Sequence, residues 1–207
     1  MLGKTHMAVG VAATLALTNP TTITELVLGS GIGALGAVIS DIDVGTSESH
    51  KEADKIIAIV TIILIAIGVL DHFWGLGIWN RMKSNRIIYQ IVIAALVFIG
   101  ICAYGKEQPH RSFMHSFLAL GLLSAAMAVI YPVAVKYFAV GFLSHIALDI
   151  FNYKRVRLLY PMKKGVCFKL AHSNGMANDI AFITAVIVAI LEVILVLWEK
   201  FGWLLRL

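Results

Sequence analysis

Charged side chains are scarce in this sequence. Only 14% of its 207 residues are Asp, Glu, Lys or Arg, whereas 59% are hydrophobic, and the mean hydropathy is +0.87. Soluble domains carry about a quarter charged residues. A soluble fold of this length could not bury so much apolar surface, but lipid solvates it directly. We therefore predict an all-α, polytopic membrane protein built as a bundle of about seven hydrophobic helices.

Cysteine motifs are also absent. The two cysteines, Cys102 and Cys167, form neither a disulfide framework nor a CxxC metal motif. The sequence also lacks a CxxCH haem-attachment motif, an HExxH protease motif and a nucleic-acid-binding motif. We therefore expect no nucleic-acid partner, and we interpret the net charge of +5 as a signal for membrane orientation.

Apolar runs predict the helices, within a single membrane-embedded domain that covers residues 1–207. The third, fourth and seventh runs are long enough to cross a bilayer, which needs about 20 residues. Asn19-Pro20 ends the first run and Tyr131-Pro132 separates the fifth from the sixth. The predicted segments are 7–18, 25–40, 55–73, 86–104, 113–131, 133–150 and 179–198.

The distribution of lysine and arginine predicts the orientation. If the seven segments alternate and Lys55, at the start of the third, is counted with the loop before it, 11 of the 17 basic residues fall on the side that holds residues 1–6, 41–54, 105–112 and 151–178. The positive-inside rule places that side in the cytoplasm. We therefore expect an integral protein of a bacterial-type inner membrane, with a cytoplasmic N-terminus and a C-terminus on the outer face.

Seven polar residues, which are unusual in membrane helices, all fall near helix ends on this same side. Ionisable residues in such segments are rare and usually functional. Together they offer four imidazoles and three carboxylates, enough ligands for about two divalent ions. The seven are His6, Asp41, Asp43, His110, His115, His145 and Asp149.

The spacing supports a shared site. His145 and Asp149 are four residues apart, so a helix presents them on one face, where they could bind a metal or form only a hydrogen bond. If Ser112 is the N-cap of the fifth helix, His115 lies in its first turn and His110 in the preceding loop. Asp41 and Asp43 lie at a helix C-terminus, where carboxylates oppose the helix dipole and a cation would offset the penalty.

Other residues are weaker candidates for a place in the site. Thr5 is a candidate N-cap beside His6. His50 and His172 lie on the same predicted side and could add ligands, whereas His72 lies on the opposite face. Histidine and aspartate ligands without thiolates favour zinc, with manganese or iron as alternatives.

Several blocks resemble the YdjM-like family of inner-membrane proteins, which are regarded as metal-dependent hydrolases. The specific blocks are His110-Arg111-x-x-x-His115-Ser116 and Ser144-His145-x-x-x-Asp149, with Thr5-His6, Ser40-Asp41-Ile42-Asp43 and Leu158-Leu159-Tyr160-Pro161 in support. The family is thought to be related to the zinc-dependent phospholipase C and P1 nuclease group. The resemblance therefore implies a metal-dependent phosphoesterase that uses the seven residues as ligands, although the further His-x-x-x-Glu pair of the soluble relatives is absent.

We therefore expect a membrane-bound hydrolase that cleaves a phosphoester in a lipid or lipid-linked head group through metal-activated water. Asp43 would be a bridging ligand or a general base, and Arg111 would contact phosphate or help to set the topology. A loop rich in lysine and arginine would attract anionic lipid head groups; its members are Lys154, Arg155, Arg157, Lys163 and Lys164.

The same cluster could serve other functions. A metal-ion or proton transporter would use intramembrane histidine and aspartate in a similar way, but its site is expected near the membrane midplane. A haem protein with His115 and His145 as axial ligands would leave the carboxylates without a role. The position at helix ends favours the enzyme.

Overall fold

The computed structural model describes residues 1–173 and 175–201, and the elements of regular secondary structure in this part of the chain are all helices, as predicted. Two short 3-10 segments, Ser40–Asp43 and Phe113–His115, interrupt the α-helices. The helices are α1 (Gly3–Thr18), α2 (Ile23–Ile39), α3 (Glu48–Trp74), α4 (Ile78–Ser84), α5 (Arg86–Lys106), α6 (Phe117–Ile130), α7 (Ala134–Ile150) and α8 (Met176–Phe201).

The seven predicted segments correspond to α1, α2, α3, α5, α6, α7 and α8. The additional helix, α4, follows Gly75 and Gly77, whose φ angles of 57° and 65° turn the chain after α3. It was missed because it has only seven residues and carries Arg81 and Lys83 instead of an apolar run. Arg206, which contributes to the predicted charge asymmetry, lies outside the described residues.

Four helical stretches in the described part of the chain are long and apolar enough to cross a bilayer. Three were predicted to span, and the fourth is α2 with its 3-10 extension. This pattern confirms the helical membrane bundle. The four are Ile23–Asp43, Glu48–Trp74, Arg86–Lys106 and Met176–Glu199.

Glycine allows α2 and α7 to pack closely. A Cβ atom added to Gly36 would lie 2.3 Å from the carbonyl oxygen of Phe138, and one added to Gly141 would lie 2.1 Å from that of Gly33. No real side chain tolerates such distances, so the two backbones are in direct contact. The contact fixes the position of α7, which carries His145, relative to α2, which leads into the 3-10 segment with Asp41.

Two predicted helix starts are wrong. The N-cap of α6 is Ser116 and not Ser112: its hydroxyl accepts a hydrogen bond from the N–H of Ala119 at 3.2 Å, so His115 lies in the 3-10 segment before the helix. Helix α1 begins at Gly3, so Thr5 lies within the helix and is not its N-cap. Helix α1 thus begins before the N-cap predicted at Thr5, and α6 begins after the one predicted at Ser112.

The segment between α7 and α8 crosses the end of the bundle at which the predicted site lies. Val156 is buried and pairs with Val166 in an antiparallel bridge. Backbone hydrogen bonds join Phe117 to Leu158 at 3.0 Å and Arg157 to Arg111 at 3.0 Å. This segment therefore holds the turn that carries His110 and His115 against the rest of the bundle.

The glycine contact gives a stability prediction. Gly36→Ala forces a methyl group into the backbone of α7 and should lower the melting temperature of the detergent-solubilised protein by several degrees, as expected for about 1–3 kcal/mol of overpacking. Gly31→Ala, in the same helix but with open space around the added Cβ, should leave it unchanged or raise it slightly. Equal melting temperatures for the two variants would contradict the close α2–α7 contact.

Candidate metal centre

All seven predicted site residues meet at one end of the bundle. They come from α1, from the 3-10 segment after α2, from the turn before α6 and from the last two turns of α7. His6, His115, His145 and Asp149 are no more than 2% exposed. Asp43 is also buried, whereas the side chains of Asp41 and His110 are 18% and 34% exposed. The cluster therefore has a buried interior and one accessible edge.

Three of these residues have a spacing that suits one tetrahedral ion. His115 Nε2 lies 3.2 Å from His145 Nε2 and 3.3 Å from Asp149 Oδ2, and His145 Nε2 lies 4.0 Å from Asp149 Oδ2. Ligands at 2.0–2.1 Å from a tetrahedral zinc ion are separated by about 3.4 Å. The side chains thus already lie close to a metal-binding arrangement.

The two imidazoles are oriented by partners on their far sides. His145 Nδ1 donates to the carbonyl oxygen of Ala37 at 2.5 Å, which leaves Nε2 as the acceptor that faces the cluster. His115 Nδ1 lies 3.4 Å from Asp43 Oδ2. Metal-binding histidines usually have a carbonyl or carboxylate on the second ring nitrogen, which fixes the tautomer. His145 meets this requirement with a hydrogen bond, whereas Asp43 lies beside His115 Nδ1 without the geometry of a hydrogen bond.

Asp41 belongs to two further groups of possible ligands. One consists of His6, Asp41 and His145, and the other of Asp41, His110 and His115; within each, the ligand atoms lie within 4.8 Å of one another. The two groups share only Asp41, but each also shares one histidine with the group of His115, His145 and Asp149. Asp149 can support both groups, because Oδ1 lies 3.4 Å from His6 Nε2 while Oδ2 faces His115. The cluster therefore offers enough nitrogen and oxygen ligands for the predicted two ions.

Asp43 has a different position from the other predicted ligands. It belongs to none of the three possible ligand groups formed by the described residues. Its oxygens instead contact His110 Nδ1 at 2.8 Å and accept the N–H of Arg111 at 3.2 Å. This places Asp43 behind the histidines, where it orients them.

Arg111 and Asn152 hold Asp149 from the outside. Arg111 Nη2 and Asn152 Nδ2 donate to Asp149 Oδ1 at 3.0 and 2.9 Å, and Arg111 Nη1 donates to the carbonyl of Lys154 at 2.7 Å.

Arg111 has a φ of 63°, an uncommon conformation for a residue with a side chain, and such strain often accompanies function. Asn152 was not predicted; its position three residues after Asp149, at the end of α7, was the only signal.

The carboxylates make the centre favourable for positive charge. Burial lowers the pKa of His115, but the nearby carboxylates of Asp149 and Asp43 outweigh that effect and raise the pKa to about 9. The amino group of Met1 also lies 3.5 Å from Asp149 Oδ1. A metal ion would supply the same positive charge and would compete with the proton for the imidazole.

The weaker candidates lie outside the centre. His50 Nδ1 contacts the carbonyl of Ile42 at 2.5 Å, and the ring of His172 stacks on Tyr153 with the centroids 4.4 Å apart. His72 is exposed near the end of α3, beside Phe73. None of the three belongs to a possible ligand group within the described residues.

The family is established by comparison of the sequence with known families. Residues 1–206 match the family described as YdjM inner membrane protein. The chain therefore belongs to this family and is an inner membrane protein. Searches of curated proteins and of solved structures gave no match.

The cluster predicts a specific metal content. The protein, purified without chelator and supplied with zinc or manganese, should hold about two ions per chain. His145→Ala should reduce this by about one ion, whereas His72→Ala, which removes a histidine outside the cluster, should not change it. Elemental analysis after gel filtration measures both, and less than half an equivalent in the wild-type protein would contradict the assignment.

The position of Asp43 predicts a change in affinity. Asp43→Asn should weaken metal binding about 10–100-fold, the usual effect of losing a carboxylate that orients a ligating histidine. Competition with a fluorescent chelator measures this. Asp54→Asn, which changes a half-exposed carboxylate bonded to Lys106, is the matched control and should bind metal like the wild type. Equal affinities in the two variants would show that Asp43 has no such role.

Proposed function

We propose that this member of the YdjM family is a membrane-bound metal-dependent hydrolase that cleaves phosphate esters at the cytoplasmic interface. The observation that carries the proposal is the cluster of His115, His145 and Asp149, in which buried ligand atoms with oriented partners lie beside an accessible edge. A divalent ion bound there supplies Lewis acidity toward water and phosphate oxygens. The proposed relation to the phospholipase C and P1 nuclease group is consistent with this chemistry.

The accessible edge is the place for the substrate. Asp41, His110 and Arg111 border a cavity of about 1140 Å³. A phosphate ester in this cavity would lie next to the predicted ligands and would remain in contact with water. In the reaction, the oxygen of water bonds to phosphorus, the P–O bond to the alcohol breaks, and the alcohol oxygen takes up a proton.

Arg111 and Asp43 have roles that follow from their contacts. The guanidinium of Arg111 is largely buried and bonded to Asp149, so it positions that carboxylate while it adds positive charge beside the cavity. The side chain of Asp43 has no exposed surface. We therefore assign Asp43 to the orientation of His110 and His115 in preference to proton transfer with the substrate.

A metal-ion or proton transporter is the competing function. Transporter sites usually lie near the midplane on interrupted helices. Here the residues lie at helix ends, and His145 is bonded to Ala37 in the neighbouring helix. These features favour an ion that stays bound over one that passes through.

The proposal predicts hydrolysis that depends on metal and on Asp149. With a panel of phospholipids, lipid pyrophosphates and soluble phosphodiesters, the wild type should release product, and a chelator should stop the reaction. Asp149→Asn should lower turnover by at least about 100-fold, which is more than the usual effect of losing a residue that only hydrogen-bonds to a metal ligand. Arg111→Lys should lower turnover by about tenfold, because lysine keeps the positive charge but cannot make both of the hydrogen bonds that the guanidinium donates.

Asp71→Asn, at the other end of α3, is the matched control and should retain activity. Release of product that persists in Asp149→Asn, or in excess chelator, would contradict the assignment. Metal-dependent ion flux into liposomes without hydrolysis of any substrate would favour the transporter instead.

A further inference from the structure

The cavity beside the metal centre extends away from it along the bundle. Its volume of about 1140 Å³ exceeds the roughly 300–1,000 Å³ of ordinary small-molecule sites. The polar end includes Asp41, His110 and Arg111. The other end is lined by apolar side chains of three helices, among them Val38 of α2, Ile57 of α3 and Phe98 of α5.

Helix α3 forms an open wall of this cavity. None of its residues is buried, although it is 27 residues long and apolar enough to cross a bilayer. It packs against the 3-10 segment Ser40–Asp43 and against α4 and α5. Its apolar side chains, such as Ile56, which is 52% exposed, are therefore available to lipid as well as to the cavity.

The depth of the cavity corresponds to a single leaflet. Its wall extends along α3 from Glu48 to Ile57 and includes Cys102, Ile99 and Phe98 of α5, a helix that ends at Lys106. At 1.5 Å per residue the wall along α3 is about 14 Å long, and Phe98 lies about 12 Å from the end of α5. One leaflet with its head groups is about 20 Å thick. The cavity thus begins at the interface and ends before the midplane.

The polar end of the cavity carries charges of both signs. Lys4, Arg111 and Lys154 are in the wall, and Arg111 is paired with Asp149 at 3.0 Å. The carboxylates of Glu48 and Glu52 are each paired with a lysine of α3, Lys51 or Lys55, at 2.6 Å, whereas Asp41 faces the histidines of the metal centre. The cavity is therefore amphipathic, with a charged end, where a bound divalent ion would add positive charge for a phosphate, and an apolar end within the membrane.

We propose that this cavity binds a lipid phosphate, with the phosphate at the metal centre and the first part of its apolar chain between α2, α3 and α5. This inference rests on the proposed function and names its substrate class: a phosphorylated lipid that comes from the adjacent leaflet. A soluble phosphate ester would fill the polar end alone. The apolar end adds affinity for the chain, since each buried methylene group contributes about 0.8 kcal/mol.

The test uses tetradecyl phosphate with a photoreactive diazirine near the middle of its chain and the full-length protein in nanodiscs. Labelling of the cavity should saturate and should map by mass spectrometry to the first turns of α3 and to the segment of α5 around Phe98. Excess unlabelled tetradecyl phosphate should suppress it, whereas butyl phosphate and tetradecanol at the same concentration should do so poorly. Labelling by bulk lipid, in contrast, does not saturate.

Matched tryptophan variants locate the chain. Ala53→Trp and Ile56→Trp fill the cavity and should reduce the saturable labelling at least about tenfold, which corresponds to lost contact with about two methylene groups. Ala58→Trp and Ile62→Trp place the same side chain at positions of α3 that do not line the cavity and should not reduce it. Melting temperature and metal content identify any variant that fails to fold; Ile56 is exposed, so its replacement is the milder test.

The outcomes separate the two proposals. Saturable labelling lost in Ile56→Trp but retained in Ile62→Trp supports the chain site, even if no substrate is hydrolysed. Labelling that does not saturate, or that is equally strong in Ile56→Trp and Ile62→Trp, overturns the chain site. If metal-dependent hydrolysis of soluble esters is nevertheless found, the proposed function stands without the lipid substrate.

Discussion

The contact between α2 and α7 is the constraint on which the centre depends. Ala37 lies in the last turn of α2, where carbonyl oxygens have no partner within their own helix. His145 reaches that oxygen from α7, and it can do so only because Gly36 and Gly141 bring the two backbones together. One hydrogen bond therefore satisfies an otherwise unpaired carbonyl, fixes the tautomer of the histidine and directs its free nitrogen toward Asp149.

Charge balance is the second constraint. Asp41, Asp43 and Asp149 lie together in a largely buried site, with Arg111 as the fixed side-chain cation among their direct contacts. Carboxylates in such a place need compensation, because burial of an uncompensated charge is strongly unfavourable. The raised pKa of His115 is one form of that compensation. A divalent cation is another, and it would also release His115 from its proton.

The sequence predicted most of the helices and the residues that meet, because both follow from local patterns. Long apolar runs identify membrane helices, and the alternation of segments placed all seven polar residues on one side. The different role of Asp43 was not predictable: two residues in Asp-x-Asp look alike, and only the 3-10 turn of Ser40–Asp43 directs Asp41 toward the cluster and Asp43 behind the histidines. Likewise, nothing local marks the carbonyl of Ala37 as the partner of a histidine more than 100 residues away.

The proposed function assigns two parts to the centre, one that would hold an ion and one that would meet a substrate. His145 and Asp149 are buried on a regular helix and are held by Ala37, Asn152 and Arg111. Supported ligands on rigid elements favour a resident ion, since release would require several of these bonds to break together. Asp41 and His110, in contrast, lie on short turns that border the cavity. A rigid interior with an accessible edge is what hydrolysis at an interface requires, because the ion must stay while lipid and water come and go.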